Sequence, residues 1–167
     1  MYMKHYIMRY IRQWMSVVMV VCATVVSAQT TGATLTISDI EGAAGKEVSV
    51  PLYLTNADAV VGVQFDVELP YALTSNIALS ENRKDGHTVN YKKIGSNKYR
   101  VTLMSFSNTP IKGNSGLLMR LPMTVAAEAQ ADDTFPMTIS NIVLAKANGA
   151  NVATATSCEA TFTVQRV

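Results

Sequence analysis

The chain has 167 residues, of which 49% are hydrophobic and 16% charged, a composition typical of one folded domain and not of a disordered chain. Its formal net charge of +2 depends on Lys4, Arg9 and Arg12 near the N-terminus. Without them 11 basic and 12 acidic side chains remain, and this near-neutral balance gives no support for nucleic-acid binding.

The N-terminus predicts export from the cell. Basic residues precede an apolar run of 13 residues from Trp14 to Val26, which is shorter than the roughly 20 residues of a membrane span. Val26-Ser27-Ala28 offers small residues for cleavage after Ala28. We predict a secretory signal peptide over residues 1–28, a leader over 29–33 and a folded domain over 34–165. The expected location is extracellular or at the cell surface, with the periplasm as an alternative.

The rest of the chain predicts an all-β sandwich. Apolar residues alternate in short segments separated by turn signals, and no segment has a sustained helical pattern. The segment Glu41–Lys46, rich in small residues, is predicted to be a turn. The nine expected strands lie near 35–37, 48–54, 62–69, 73–79, 89–91, 99–106, 117–125, 137–144 and 158–164.

The expected strand 137–144 carries an irregularity. Met137 and Ile139 alternate on one parity, whereas Ile142 and Leu144 continue on the other. One extra residue near Ser140-Asn141 explains the change, so we predict a β-bulge there.

The segment Gly62–Leu69 has the clearest alternation. Val63, Phe65, Val67 and Leu69 share one side, which predicts a core-facing strand. The other side is expected to meet water or a partner; it carries Gly62, Gln64, Asp66 and Glu68.

A second outward set is expected on the strand 99–106. If Val101 and Leu103 point inward, Thr102, Met104 and Phe106 point outward and suit a protein-binding patch. A parity break at Ser105 would instead turn Phe106 inward, and the pattern leaves both possibilities open.

Few residues fit catalysis or metal binding. The backbones of Asp66 and Glu68 are expected about 6.6 Å apart, a spacing similar to that of glycosidase carboxyl pairs. An open strand face, however, lacks the burial that raises the pKa of a general acid. His87 is predicted on a charged surface loop, and Cys158 is in phase with core residues. We therefore predict a non-catalytic chain with no metal site and no cofactor.

Four stretches in order resemble the cohesin domain, the sandwich module that holds dockerin-bearing enzymes in cellulosome-type assemblies. Together they span roughly residues 34 to 164. The stretches are Gly45–Leu52, Val61–Val67, Tyr99–Ser105 followed by Ser107–Ile111 and Gly116–Leu118, and Ile142–Ala145 followed by Asn148-Gly149.

The resemblance implies a nine-stranded antiparallel β-sandwich with jelly-roll topology and no catalysis. It also implies a dockerin-type partner, for example on a polysaccharide-degrading enzyme, that brings its own calcium. The resemblance and the outward parity together give the expected partner-binding residues Gly62, Gln64, Asp66, Glu68, Tyr91, Thr102, Met104 and Phe106. Many cohesins carry Asn and Asp where this chain has Gly62 and Gln64.

Two other functions fit the same fold. Carbohydrate-binding modules share the sandwich, and a sugar-binding face would need exposed aromatic rings. The candidate rings are Tyr53, Tyr71, Tyr91, Tyr99 and Phe106. A structural or adhesive surface domain is the third possibility.

Overall fold

The computed structural model describes residues 32–166, so the predicted signal peptide and most of the predicted leader lie outside the described residues. Within this range the chain forms ten strands and no helix, and therefore no helix long and apolar enough to cross a membrane. The strands are β1 (Ala33–Ile37), β2 (Ile40–Ala43), β3 (Glu47–Asn56), β4 (Gly62–Glu68), β5 (Ala78–Leu79), β6 (His87–Lys93), β7 (Lys98–Ser105), β8 (Leu117–Thr124), β9 (Thr134–Ala145) and β10 (Cys158–Gln165).

The strands form two sheets, which confirms the all-β prediction. A four-stranded sheet has the order β1-β3-β8-β5, and a six-stranded sheet has the order β2-β10-β9-β4-β7-β6. The alternating apolar residues of both sheets point toward each other and form one buried cluster. Phe65 of β4 and Phe162 of β10 are fully buried in it, each stabilising the fold by roughly 1.5–3 kcal/mol through removal of its side chain from water.

The tenth strand corrects three predictions: the count of nine strands, the turn over Glu41–Lys46 and the wholly antiparallel pairing. Ile40–Ala43, within and just before the predicted turn, forms β2, and β2 pairs in parallel with β10, so the sandwich is not wholly antiparallel. The strand is too short for its alternation to be recognised. Gly42 fits because a Cβ there would lie 3.1 Å from the Phe162 ring and 3.3 Å from a Val125 methyl. The jelly-roll connectivity stays a prediction.

The predicted bulge in β9 is confirmed. The pairing of β4 with β9 shifts between Gln64, which faces Val143, and Asp66, which faces Ser140. Asn141 takes the extra position with a φ of 51°, a left-handed conformation that asparagine tolerates better than most residues.

The prediction for His87 is wrong. The residue begins β6 opposite Ser105 and is buried, and its Nδ1 accepts a hydrogen bond from the Asp85 backbone N–H at 3.1 Å. Burial lowers the pKa of the imidazole, because desolvation disfavours its charged form. Because His87 follows the charged segment Glu81–Gly86, the sequence gave no indication that its side chain is buried. Cys158 is half-buried against the core, close to its predicted position.

A buried arginine joins the loops at one end of the sandwich. Arg83 is only 4% exposed and lies near no carboxylate within hydrogen-bonding distance among residues 32–166. Its guanidinium donates to the carbonyl oxygens of Ser115 and Leu54 at 3.1 and 3.2 Å and to Asn56 Oδ1 at 2.8 Å. Desolvation lowers its pKa, although three acceptors partly replace water. Arg83 therefore ties the connection before β8 to the end of β3.

We expect Arg83→Met to lower the free energy of unfolding by about 2–4 kcal/mol, because it leaves buried acceptors without donors. Lys84→Met is the matched control: Lys84 pairs only with exposed Glu81, so its loss should cost less than about 1 kcal/mol. Urea unfolding of both variants measures the difference. Equal destabilisation would show that Arg83 does not organise these loops.

Candidate functional site

The outer face of the six-stranded sheet is centred on β4. The alternation predicted for β4 is confirmed, since Val63, Phe65 and Val67 are buried and the intervening side chains lie on the outer side. On one side β4 pairs with β7, and on the other with β9. Directly paired residues share a face, so the register brings their outward side chains together.

One half of this face carries no charge. Gly62 lies between Met104 of β7 and Ala145 of β9, and Gln64 lies between Thr102 and Val143. We call these residues the uncharged patch: Gly62, Gln64, Thr102, Met104, Val143 and Ala145. They line a shallow depression of about 170 Å³, whose floor is completed by Val63 and Leu103. The patch therefore offers small and apolar groups to a partner, with two polar side chains beside them.

The other half of the face is ion-paired. Arg100 donates from Nε to Asp66 Oδ1 at 2.7 Å and from Nη2 to Oδ2 at 2.9 Å, a bidentate pair. Asn141, placed by the bulge in β9, donates from Nδ2 to Asp66 Oδ2 at 2.9 Å. The side chain of Asp66, which was expected to meet water or a partner, is only 3% exposed beneath these donors. Glu68 remains exposed and pairs with Lys98 at 3.5 Å.

The Asp66 carboxylate does not suit acid–base catalysis. The hydrogen bonds from Arg100 are the largest cause of its lowered pKa, and Asn141 adds to the effect against the opposing effect of burial. A general acid in a carboxyl pair needs the opposite shift. No group of three or more His, Cys, Asp or Glu side chains suited to a metal occurs among residues 32–166.

Tyr91 is separate from the uncharged patch. It pairs with Val101, whose side chain is buried between the sheets, so Tyr91 lies on the opposite side of the sheet from Thr102. It is 41% exposed only because β6 is the edge strand, and its ring meets the Tyr99 ring edge-on with centroids 6.1 Å apart. The prediction that Tyr91 lies on the outer face is therefore wrong. The preceding residue, Asn90, pairs with Thr102 and lies on that face instead.

The side chain of Phe106 points into solvent, so of the two orientations left open by the sequence, outward and inward, the outward one is correct. The strand β7 ends at Ser105, and Phe106 follows in a turn with 85% of its surface exposed. The turn is held by Asn108 N–H donating to the Ser105 carbonyl at 3.2 Å and by Thr109 N–H donating to Ser105 Oγ at 3.1 Å. A large aromatic ring is therefore displayed two residues beyond Met104, at the end of the strand that carries the patch.

Sequence reasoning missed Val143 and Ala145. Val143 is 36% exposed and faces outward because the bulge at Asn141 changes the parity of β9. The parity change was visible in the sequence, so the outward side of Val143 could have been inferred from it. The pairing of β9 with β4 could not, because nothing local to either strand specifies the partner.

We expect Asp66→Asn to lower the free energy of unfolding by about 1–3 kcal/mol at neutral pH, because the charge-assisted hydrogen bonds are lost. A lowered carboxyl pKa stabilises the fold above the unfolded-state value of about 3.9, and that stability is lost as pH falls through and below it. The variant should therefore lose less stability than the parent chain between pH 6 and pH 3.

Glu68→Gln is the control for this experiment, and its exposed ion pair should contribute less than about 1 kcal/mol. Denaturant unfolding at several pH values gives both quantities. The same acid dependence in the parent and Asp66→Asn chains would rule out the proposed electrostatic role of Asp66.

Comparison with known protein families and solved structures agrees with the all-β fold described above. A family model described as the cohesin domain matches residues 33–164. No curated protein matches the chain. Several solved structures share the fold at low sequence identity.

One similar structure is the sixth cohesin of scaffoldin B from Acetivibrio cellulolyticus, solved in complex with a Cel5 dockerin mutant. It is 18% identical, covers 81% of this chain and 100% of its own, and has a TM-score of 0.66. The third cohesin of ScaC from the same organism, in complex with a ScaB dockerin, is 14% identical, with 80% and 99% covered and a TM-score of 0.67.

A non-cellulosomal cohesin from the archaeon Archaeoglobus fulgidus is 18% identical, with 81% of this chain and 93% of its own covered and a TM-score of 0.64. These similarities concern the fold, whereas the family match spans most of the chain and all ten strands apart from the last residue of β10. The chain belongs to the cohesin family.

Proposed function

We propose that this chain is a secreted, non-catalytic module that binds a dockerin-type domain through the outer face of β6, β7, β4 and β9. The observation that carries the proposal is the uncharged patch, with Phe106 exposed in the turn that follows β7, on a sheet of a cohesin-family domain. An exposed aromatic ring next to small and apolar groups is the composition that protein interfaces favour at their centre. The complexes of similar cohesins with dockerins support the class of partner.

The other parts of the proposal follow from the same class of partner. The dockerin would carry the calcium, and the proteins that bear it would include polysaccharide-degrading enzymes. The predicted signal peptide over residues 1–28 supports secretion. The partner-binding residues are proposed to be Gly62, Gln64, Thr102, Met104 and Phe106, with Glu68 at the edge. Asp66 would act by holding Arg100, and Tyr91 would lie outside the interface.

Carbohydrate binding has weaker support. A platform for sugar rings needs several aromatic side chains on one surface. Among the described residues the exposed rings lie apart: Tyr53 on the four-stranded sheet, Tyr91 at the edge of the six-stranded sheet, and Phe106 in a turn. A structural or adhesive role without a specific ligand is the remaining alternative, and the binding experiment below tests both.

The test uses the mature chain, residues 29–167, immobilised and exposed to the secreted proteins of its source. We expect it to retain proteins that mass spectrometry identifies as dockerin-bearing, and a chelator of calcium should release them. The thermal unfolding of the chain itself should not change with the chelator, since the calcium belongs to the partner. Retention on insoluble glucan without retention of any dockerin-bearing protein would overturn the proposal.

A matched pair of variants locates the interface. Thr102→Glu places an unpaired charge in the uncharged patch and should weaken dockerin binding at least about tenfold, because that charge would lose water on binding. Thr55→Glu makes the same change on the outer face of the four-stranded sheet and should leave affinity unchanged. Titration calorimetry measures both. Weakening by Thr55→Glu alone would place the interface on the other sheet.

A further inference from the structure

Gly62 is the exception among the glycines of the described residues. A positive φ explains six of the nine, and a Cβ would meet an atom at 3.0 Å at Gly95 and at 3.1 Å at Gly42. Gly62 has neither property. A Cβ there would lie 3.6 Å from the Leu103 carbonyl oxygen and 3.9 Å from the Ala145 Cβ, which is ordinary contact.

The fold therefore does not require a glycine at this position. Glycine inside a strand costs about 0.5–1 kcal/mol relative to alanine, and it often marks a place where a ligand or another backbone approaches closely. Gly62 begins the central strand of the face, with β7 and β9 paired on its two sides. The missing side chain leaves the centre of the uncharged patch open.

The depression at Gly62 is shallow and apolar, and its volume leaves room for one small side chain. Its volume of about 170 Å³ is several times the roughly 30 Å³ that a water molecule occupies in the liquid. The side chains of Met104, Val143 and Ala145 surround it. Filling it with an apolar group would release several waters from apolar walls, which favours binding.

The charged side chains of β4 and of the residue after β9 that lie nearest the depression are paired within the chain. Asp66, in the ion-paired half of the outer face, is held by Arg100 and Asn141. Lys146, the residue after Ala145, pairs with Asp58 at 3.0 Å. No charged residue lines the depression, so an ionic side chain of a partner that entered it would lose water without a direct opposite charge.

We propose that the depression at Gly62 receives one uncharged aliphatic side chain from the docking surface of the partner, and that this contact selects the partner. This inference rests on the proposed dockerin binding and adds the chemistry of the contact. Phe106, 85% exposed at the end of β7, packs against the partner beside this anchor. The absence of a side chain at Gly62 is thus a specificity determinant of this chain.

The test is a selection from a dockerin library displayed on phage, with the solvent-exposed positions of the dockerin randomised and calcium present. Binders to the mature chain are expected to converge on Ala, Val, Leu or Ile at one position. Gly62→Val should weaken those binders at least about tenfold, because it fills the depression that the anchor occupies. Gly62→Ala should have a smaller effect in the same direction.

Thr55→Val is the matched control, since it places the same side chain on the outer face of the other sheet and should not change affinity. Thermal unfolding measures whether each variant folds. If Gly62→Val does not fold, Gly62→Ala, whose Cβ has room, still tests the inference. Binders that converge on charged residues, or that bind Gly62→Val and Gly62→Ala as tightly as the parent, would overturn the inference and leave dockerin binding standing. A selection that yields no dockerin would overturn the proposed function itself.

Discussion

The pairing of β4 on both of its sides is the constraint on which the outer face of the six-stranded sheet depends. Because side chains alternate along a strand, burying Phe65 in the core sends Gln64 and Asp66 to the outer surface. The register with β7 and β9 then decides which residues stand beside them. A shift of one residue would exchange the inner and outer sets, so the same apolar contacts that stabilise the core also fix the composition of the face.

The bulge in β9 divides that face into two halves with different properties. On one side of it, Val143 and Ala145 point outward beside Gly62, and the surface is uncharged. At the bulge, Asn141 turns its amide toward Asp66 and completes the donors around the carboxylate. One inserted residue thus has two effects. It brings a hydrogen-bond donor to the buried Asp66 carboxylate, and it turns the apolar side chains of Val143 and Ala145 outward beside it.

The sequence was enough to locate most of the strands but not to tell which strands pair with each other. Alternation located β4 and β7, and the parity change near Asn141 located the bulge, because each signal lies within one segment. The strand β2 was missed because its four residues are too few to show a period and its partner, β10, is distant in the chain. Asp66 and Tyr91 were misplaced for a related reason: burial beneath Arg100 and position on an edge strand depend on cross-strand register, which no local pattern contains.

The uncharged patch also has a consequence for the speed of recognition. Oppositely charged surfaces attract each other over distance and can raise association rates far above the ordinary range of about 10⁵–10⁶ M⁻¹s⁻¹. The uncharged patch itself creates no such attraction, and the two acidic side chains of β4 on the same face, Asp66 and Glu68, are paired with Arg100 and Lys98. For a partner that docks at Gly62, the lifetime of the complex, set by the fit of its apolar contacts, would distinguish the right partner from the wrong one.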